Sequence, residues 1–153
     1  MKTLCLVAAR LSLSGWIGAA ALYVVTSVHE QTSPRIDSPT RDILAAIRFP
    51  DYYAFGFVMT GAALVFGVLA LPRIRRVLFG LLLLAAIGCM VWDYFQVFQP
   101  LLQLITPPGQ SRTEEFARLH NLSKLINEID VSLCAVAAII LNWPVRWPKA
   151  DKS

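Results

Sequence analysis

Four long apolar stretches constrain this sequence more than any other feature. Each is long enough, as an α-helix, to cross the roughly 30 Å hydrocarbon core of a lipid bilayer. The stretches run from about residue 4 to 28, 52 to 71, 77 to 98 and 122 to 143. A soluble domain of 153 residues could not bury so much apolar surface, because small domains leave much of their area exposed. The sequence therefore predicts one all-α domain over residues 1–153, a four-helix transmembrane bundle.

Two other interpretations of the apolar stretches are a β-barrel and a cleaved signal peptide. Residues 77–90 are continuously apolar, whereas a barrel strand alternates apolar and polar residues, so we exclude the barrel. The three alanines at 19–21 resemble a signal-peptide cleavage site. Arg10 interrupts the apolar region that such a signal needs, which favours a first span that is retained.

The composition excludes further classes of protein. Hydrophobic residues make up 56% of the chain and charged residues 16%, well below the roughly 25% of ordinary soluble chains. The net charge is +4, but no basic stripe is interleaved with aromatic residues, so we expect no nucleic-acid partner. Cys5, Cys89 and Cys134 lie in separate apolar runs and are interpreted as small buried hydrophobic residues rather than disulfide partners.

The connection between the first two spans carries a helix signal. Ser38 followed by Pro39 is typical of a helix start. Apolar residues then recur at helical spacing, at Ile43, Leu44 and Ile47. This pattern predicts a short amphipathic helix that lies on the membrane surface and ends at Pro50.

A second helix signal precedes the fourth span. Ser111 and Glu114 have the spacing of a capping box, in which the two residues satisfy the first backbone N–H groups of a helix. We expect an extramembrane helix over residues 112–121 that continues into the fourth span without a break.

The short connection at residues 72–76 gives the strongest topological signal. It contains Arg73, Arg75 and Arg76, and short cytoplasmic loops of membrane proteins are enriched in basic residues. With four spans, both termini must then be cytoplasmic, as the basic residues near them also indicate: Lys2, Arg10, Arg146, Lys149 and Lys152. We expect a protein of the plasma or inner membrane, with Trp143 and Trp147 in the interfacial aromatic belt.

Polar side chains within the apolar stretches are the candidate functional residues, because an ionisable group in hydrocarbon is costly unless it is paired or hydrated. The predicted set lies at a similar depth in the third and fourth spans, in the outer half of the bundle: Asp93, His120, Ser123, Lys124, Asn127, Glu128 and Asp130. At about 100° per residue, five residues share one face of the fourth helix, which we expect to turn toward Asp93. They are His120, Ser123, Asn127, Asp130 and Cys134.

Two interpretations of this cluster stay open. In the first, the side chains line a hydrated pocket that binds or passes a proton, another small cation or a polar solute. In the second, they form a structural network in which Lys124 pairs with a carboxylate while His120 and Asn127 bridge helices. The protein would then be a scaffold or an assembly partner. Small-residue pairs such as Ala63 and Gly67 would bind a second copy or another membrane protein.

Sequence signatures of catalysis and of cofactor binding are absent. The chain contains no serine-hydrolase, zinc-protease, phosphate-loop or dinucleotide-binding motif. The two histidines, His29 and His120, are too far apart in sequence for a helical metal site. Ser123 and His120 are one helical turn apart, a spacing that is common by chance. We therefore expect a non-enzymatic protein without a metal or a cofactor.

Two segments of the sequence resemble one family of membrane proteins. Residues 49–53, Phe-Pro-Asp-Tyr-Tyr, are similar to a Phe-Pro-x-Tyr-aromatic signature at the entrance to that family's second span. Residues 116–127 are similar to its Phe-x-x-Leu-His-x-x-Ser-x-x-x-Asn motif. The family is the group of small four-span proteins typified by transmembrane protein 205. The resemblance extends over nearly the whole chain in the order of its spans, and it implies a four-span fold and a membrane location.

Overall fold

Helices account for most of residues 1–144, which are the residues that the structure, a computed structural model, describes. Helix α1 spans Lys2–Thr32, α2 Ser38–Ala70, α3 Arg73–Asp93, α4 Gln99–Leu104 and α5 Glu114–Asn142. A π-helical turn, Tyr94–Phe98, joins α3 to α4. No strand occurs in this part of the chain. The predictions made for Arg146, Trp147, Lys149 and Lys152 fall outside the described residues.

Four helical segments are long and apolar enough to cross a membrane: Lys2–Thr32, Ser38–Ala70, Arg73–Leu104 and Glu114–Asn142. The predicted all-α architecture with four long apolar helices is thereby confirmed, and it is compatible with an integral membrane protein. Helix α1 packs mainly on α2 and α3 mainly on α5, while contacts between α2 and α3 and between α1 and α5 join the two pairs.

The predicted short interfacial helix between the first two spans is wrong. Its residues form the first turns of α2, which continues through Pro50 without a break. Neighbouring helices contact α2 on both sides of the proline. The ring of Phe49 packs on Tyr23 at 5.3 Å between centroids, and the ring of Tyr53 packs on Phe98 at 5.4 Å. Because such contacts support the backbone, proline is tolerated inside membrane helices.

The helix caps differ from the predicted ones by one or two residues. Asp37 caps α2, one residue earlier than predicted, and its Oδ1 accepts a hydrogen bond from the Thr40 backbone N–H at 3.0 Å. Hydrogen bonding by Thr40 also lowers the pKa of the Asp37 carboxyl. Helix α5 begins at Glu114, and the hydroxyl of its cap, Thr113, accepts from the Phe116 N–H at 3.1 Å. The helix then runs into the fourth span without a break, as expected.

Arginine side chains donate hydrogen bonds to the last carbonyl groups of α5 at one side of the bundle. We call this side the arginine end because it contains the connection at 72–76. Arg10 donates to the Leu141 carbonyl at 3.3 Å, and Arg75 donates to the Trp143 carbonyl at 2.9 Å. The last carbonyls of a helix have no partner within it, so these hydrogen bonds satisfy the end of α5. They also bring the start of α1 and the start of α3 to the level of residues 141–143.

A buried carboxylate ties the chain together at the opposite end, which we call the loop end because it contains the connections at 33–37 and 105–113. Asp42 is 1% exposed and accepts hydrogen bonds from the Gly109 N–H at 2.9 Å and from the Arg112 guanidinium at 2.5 Å. Gly109 has a φ of 88°, and a Cβ there would lie 2.9 Å from Pro39. The close approach and the positive φ both favour glycine at this position.

Small residues pack the helices of this chain against one another. Gly56 contacts the Trp16 ring and Gly67 the Phe79 ring, and a Cβ on either glycine would overlap the neighbouring ring. These contacts allow the helix backbones to approach closely. Gly67, which the sequence offered as part of a surface for a partner, is therefore occupied by a contact inside the bundle. Gly18, in contrast, faces open space.

Candidate functional site

Asp93 lies at the end of α3, and only 1% of its surface is exposed. Its Oδ2 accepts three hydrogen bonds, from the Tyr53 hydroxyl at 2.5 Å, the Ser123 hydroxyl at 3.1 Å and the Asn127 amide at 3.2 Å. These donors belong to α2 and α5, so one oxygen atom joins three helices. Neutral donors reduce the cost of burying a carboxylate, but they bring no positive charge to it.

Two hydrogen bonds fix the orientation of the Asn127 amide. Its nitrogen donates to Asp93, and its oxygen accepts from the Tyr52 hydroxyl at 3.0 Å. An amide turned the other way would lose the hydrogen bond to Asp93, because its oxygen would then face the carboxylate. The hydroxyls of Tyr52 and Tyr53 thus both donate hydrogen bonds to polar side chains of this cluster. The Tyr52 ring also packs against Trp16, with 5.0 Å between centroids.

A π-helical turn begins directly after Asp93. In this turn the Gln99 N–H donates to the Tyr94 carbonyl, five residues back rather than four. Pro100 follows and has no N–H, so it cannot make the next hydrogen bond of an α-helix. Such turns are frequent at functional sites. Here the change of helical register starts at the residue that carries the buried carboxylate.

A second buried carboxylate, Asp130, lies on the same face of α5 as Asn127 and about 4.5 Å further along the helix toward the arginine end. It is also 1% exposed. The nearest polar groups are the Cys134 thiol, whose Sγ lies 4.0 Å from Oδ1, and the indole of Trp16. Oδ2 of Asp130 and Nε1 of Trp16 form no hydrogen bond within residues 1–144, although the indole lies close to the carboxyl.

Both carboxylates are buried without a neutralising cation. The ion pairs in the described part of the chain are Arg48–Glu30 and Arg112–Asp42, and neither includes Asp93 or Asp130. Oδ1 of Asp93 also has no hydrogen-bond donor among these residues. A buried carboxylate that keeps its charge normally has a positive partner or several donors on both oxygens. The pair therefore has unused capacity to bind a positive charge.

The structure brings some of the predicted site residues together and separates others. Ser123 and Asn127 contact Asp93 directly, and Asp130 is buried beside them. His120 is half-buried, and its ring stacks on Phe116 at 5.7 Å between centroids. Two charged residues, Lys124 and Glu128, are exposed on another face of α5 and do not contact the cluster.

Three residues of this cluster were not among the predicted site residues: Tyr52, Tyr53 and Trp16. The adjacent tyrosines at the entrance to the second span gave a usable signal, because a phenol in an apolar helix needs a hydrogen-bond partner. They belong to one of the two segments that carry the family resemblance, and Ser123 and Asn127 belong to the other. The two segments therefore meet at Asp93. No signal in the sequence pointed to Trp16, whose role depends on how α1 packs.

The donor atoms around the carboxylates determine which ligand could bind. They are oxygens of carboxylate, hydroxyl and amide groups, which suit a proton or a hard cation rather than a soft transition metal. Among residues 1–144, no group of three or more His, Cys, Asp and Glu side chains could hold a metal ion. A proton or a monovalent cation fits this arrangement of two carboxylates better than a multivalent metal does.

The chain was also compared with known proteins. No protein-family model, no curated protein and no solved structure matches it. The resemblance to the family of four-span proteins typified by transmembrane protein 205 stays a prediction from the two segments described above.

Proposed function

We propose that this chain is a non-enzymatic membrane protein that binds a small cation, a proton or a monovalent metal ion, at Asp93 and Asp130. The observation that carries the proposal is the burial of two carboxylates, each 1% exposed and neither paired with a basic side chain within residues 1–144. Ionisable groups inside membrane bundles are costly and commonly mark pathways for protons and ions.

The two carboxylates would have different parts in binding. Three donors on Oδ2 make Asp93 the better place for a negative charge. Asp130 has no comparable donor, so a proton or a cation shared with Asp93 would neutralise it. Pairs of acids whose surroundings differ in this way are typical of sites that hold and release a proton.

Exchange of the bound cation would occur through the loop end, because Asp93 lies nearer to that end than Asp130 does. With the arginine end in the cytoplasm, the site would open to the outer side of the membrane. Both carboxylates are closed off in this conformation, so exchange needs a local movement. The π-helical turn next to Asp93 is the natural place for it.

Infrared difference spectroscopy of the purified protein in lipid nanodiscs tests the proposal. At neutral pH we expect the carbonyl stretch of a protonated carboxylic acid, and Asp130→Asn should remove it. Asp51→Asn is the matched control, because Asp51 is exposed on α2 and next to Tyr52 in sequence. Replacing choline by sodium at constant ionic strength separates the two ligands: a band that disappears with sodium indicates metal-ion binding, and an unchanged band indicates a proton.

The structural interpretation predicts a different result. If the spectrum contains no protonated acid and does not change with sodium, the site binds neither ligand and the proposal fails. Asp93→Asn adds a second measurement: a variant that stays folded and keeps the wild-type response to sodium would mean that Asp93 has only a structural role.

A further inference from the structure

One face of α5 points away from the bundle and combines charged with apolar side chains. We call it the outer α5 face, and its exposed residues are Lys124, Leu125, Glu128, Ser132, Val136 and Ile139. A shallow groove runs along it beside Leu133. The large apolar residues project well out of the bundle, with Leu125 53% and Ile139 59% exposed.

Glu128 lies at a depth where lipid is a poor environment for a carboxylate. It precedes Trp143, at the arginine end, by about four helical turns, or about 22 Å. In a hydrocarbon core of about 30 Å, the carboxylate would lie roughly 8 Å below the other surface. Within residues 1–144, Glu128 forms no ion pair. Lys124 is one turn away on the same helix, in the less favoured order, and does not form an ion pair with Glu128. A glutamate that faces lipid at this depth is therefore open to a positive partner from outside the bundle.

From this face we infer that a second copy of the chain binds to α5. Two copies with the same topology are parallel in the membrane, and a closed pair of this kind has a two-fold axis along the membrane normal. Across such an axis residue i contacts residue j and j contacts i. We place Lys124 of one copy against the partner's Glu128, and the two-fold axis then forms the reciprocal pair as well. One turn separates the two residues in height, which the long lysine side chain can span.

Charge complementarity of the face with itself favours a second copy over an unrelated partner. Two reciprocal ion pairs neutralise all four charges of the interface, whereas another protein would need a matching positive and negative residue at the same heights. The interface is also separate from the cation site, because Lys124 and Glu128 do not contact Asp93 or Asp130. The inference therefore does not depend on the proposed function.

The spacing along the face fits close packing of two parallel helices. The apolar and small residues of the face follow one another at steps of seven, three and four residues, at Leu125, Ser132, Ala135 and Ile139. This is the repeat of a seam between two helices that cross at a small angle. Ser132 and Ala135 are small and lie in the middle of the seam, where they let the backbones approach.

Two charge variants with different affinity tags test the inference in lipid bilayers. Lys124→Glu gives every copy two negative charges on the face, and Glu128→Lys gives every copy two positive charges. Each variant alone should associate at least about tenfold more weakly than wild type, a change that corresponds to about 1.4 kcal/mol. When the two are co-expressed, mixed pairs should form preferentially, because every contact across the axis again joins opposite charges.

Mixing also separates this contact from a pair within one helix. If Lys124 and Glu128 interact only within their own helix, each variant has two like charges on that helix, and co-expressing the two variants does not restore association.

Ser132→Cys, in a chain whose three cysteines are replaced, should crosslink two copies near the axis. Val65→Cys on the exposed surface of α2 is the control and should not crosslink. Equal crosslinking of the Ser132→Cys and Val65→Cys variants would overturn the inference. The absence of a preference for pairs that contain one copy of each charge variant would overturn it as well.

Discussion

Asp42 and Asp130 have the same exposure, 1%, and opposite surroundings. Asp42, at the loop end, accepts hydrogen bonds from the Arg112 guanidinium and from a backbone N–H. Asp130, inside the bundle, has one oxygen without any hydrogen-bond partner in residues 1–144. Asp93 is intermediate, with three neutral donors on one oxygen and none on the other within the same residues.

This difference shows why burial alone does not identify a functional acid. A carboxylate with its own cation is neutralised within the fold and needs nothing from outside. A carboxylate buried without one destabilises the fold in its charged form, unless it takes up a proton or binds a cation. Asp42 is therefore a structural acid, and Asp93 and Asp130 are the candidate binding acids.

The largest effect is expected from removing the cation beside Asp42. Arg112→Met should lower the free energy of unfolding by about 3 kcal/mol, because it leaves a buried carboxylate unpaired. Part of this loss comes from the Arg112 guanidinium itself, which also lies 4.2 Å from the centroid of the Phe116 ring. Reversible unfolding in mixed micelles, followed by circular dichroism, gives the value.

Two further variants separate the contributions to this effect. Arg118→Met changes an exposed arginine of α5, six residues after Arg112, and should change the free energy of unfolding by less than about 0.5 kcal/mol. The double variant with Asp42→Asn should recover part of the loss, since the unpaired charge is gone. If Arg112→Met and Arg118→Met have equal effects, the pairing at Asp42 is not structural.

The sequence predicts the parts of this fold that depend on local pattern. Long apolar runs predicted the four spans, and a period of about 100° per residue placed Ser123, Asn127 and Asp130 on one face of α5. The periodicity of the sequence could not reveal which helix this face of α5 would pack against. The partner that completes the Asp93 cluster, Tyr53, is 40 residues away in the chain.

The sequence also misled in two places for physical reasons. Pro50 and the amphipathic residues before it suggested a separate surface helix, whereas packing on α1 and on the segment after α3 keeps α2 intact. Lys124 and Glu128 joined the candidate site because they are charged and at a suitable depth, although their angle around α5 differs from that of Asn127. Depth follows from position in the chain, but the direction of a side chain is decided by packing.

A smaller effect is expected at the intermediate acid, Asp93. Tyr53→Phe should lower the free energy of unfolding by about 1.5 kcal/mol, because it removes one of three donors from a buried carboxylate. The matched control is Tyr94→Phe, whose ring lies 5.1 Å from that of Tyr53 and whose hydroxyl makes no hydrogen bond among the described residues. The same unfolding measurement should give a change near zero for the control. Equal losses would mean that the effect comes from removing a hydroxyl as such and not from the hydrogen bond to Asp93.

The smallest effect is expected at Asp130. Asp130→Asn should change the free energy of unfolding by less than about 1 kcal/mol at neutral pH in choline without sodium, because an amide is nearly isosteric with a protonated carboxyl and equally uncharged. Asp42→Asn is the reference and should lose about 2 kcal/mol, since it removes the charge that Arg112 pairs with. A loss at Asp130 as large as at Asp42 would mean that Asp130 is charged and held by a partner. The two aspartates would then be alike, and the distinction between structural and binding acids would no longer hold.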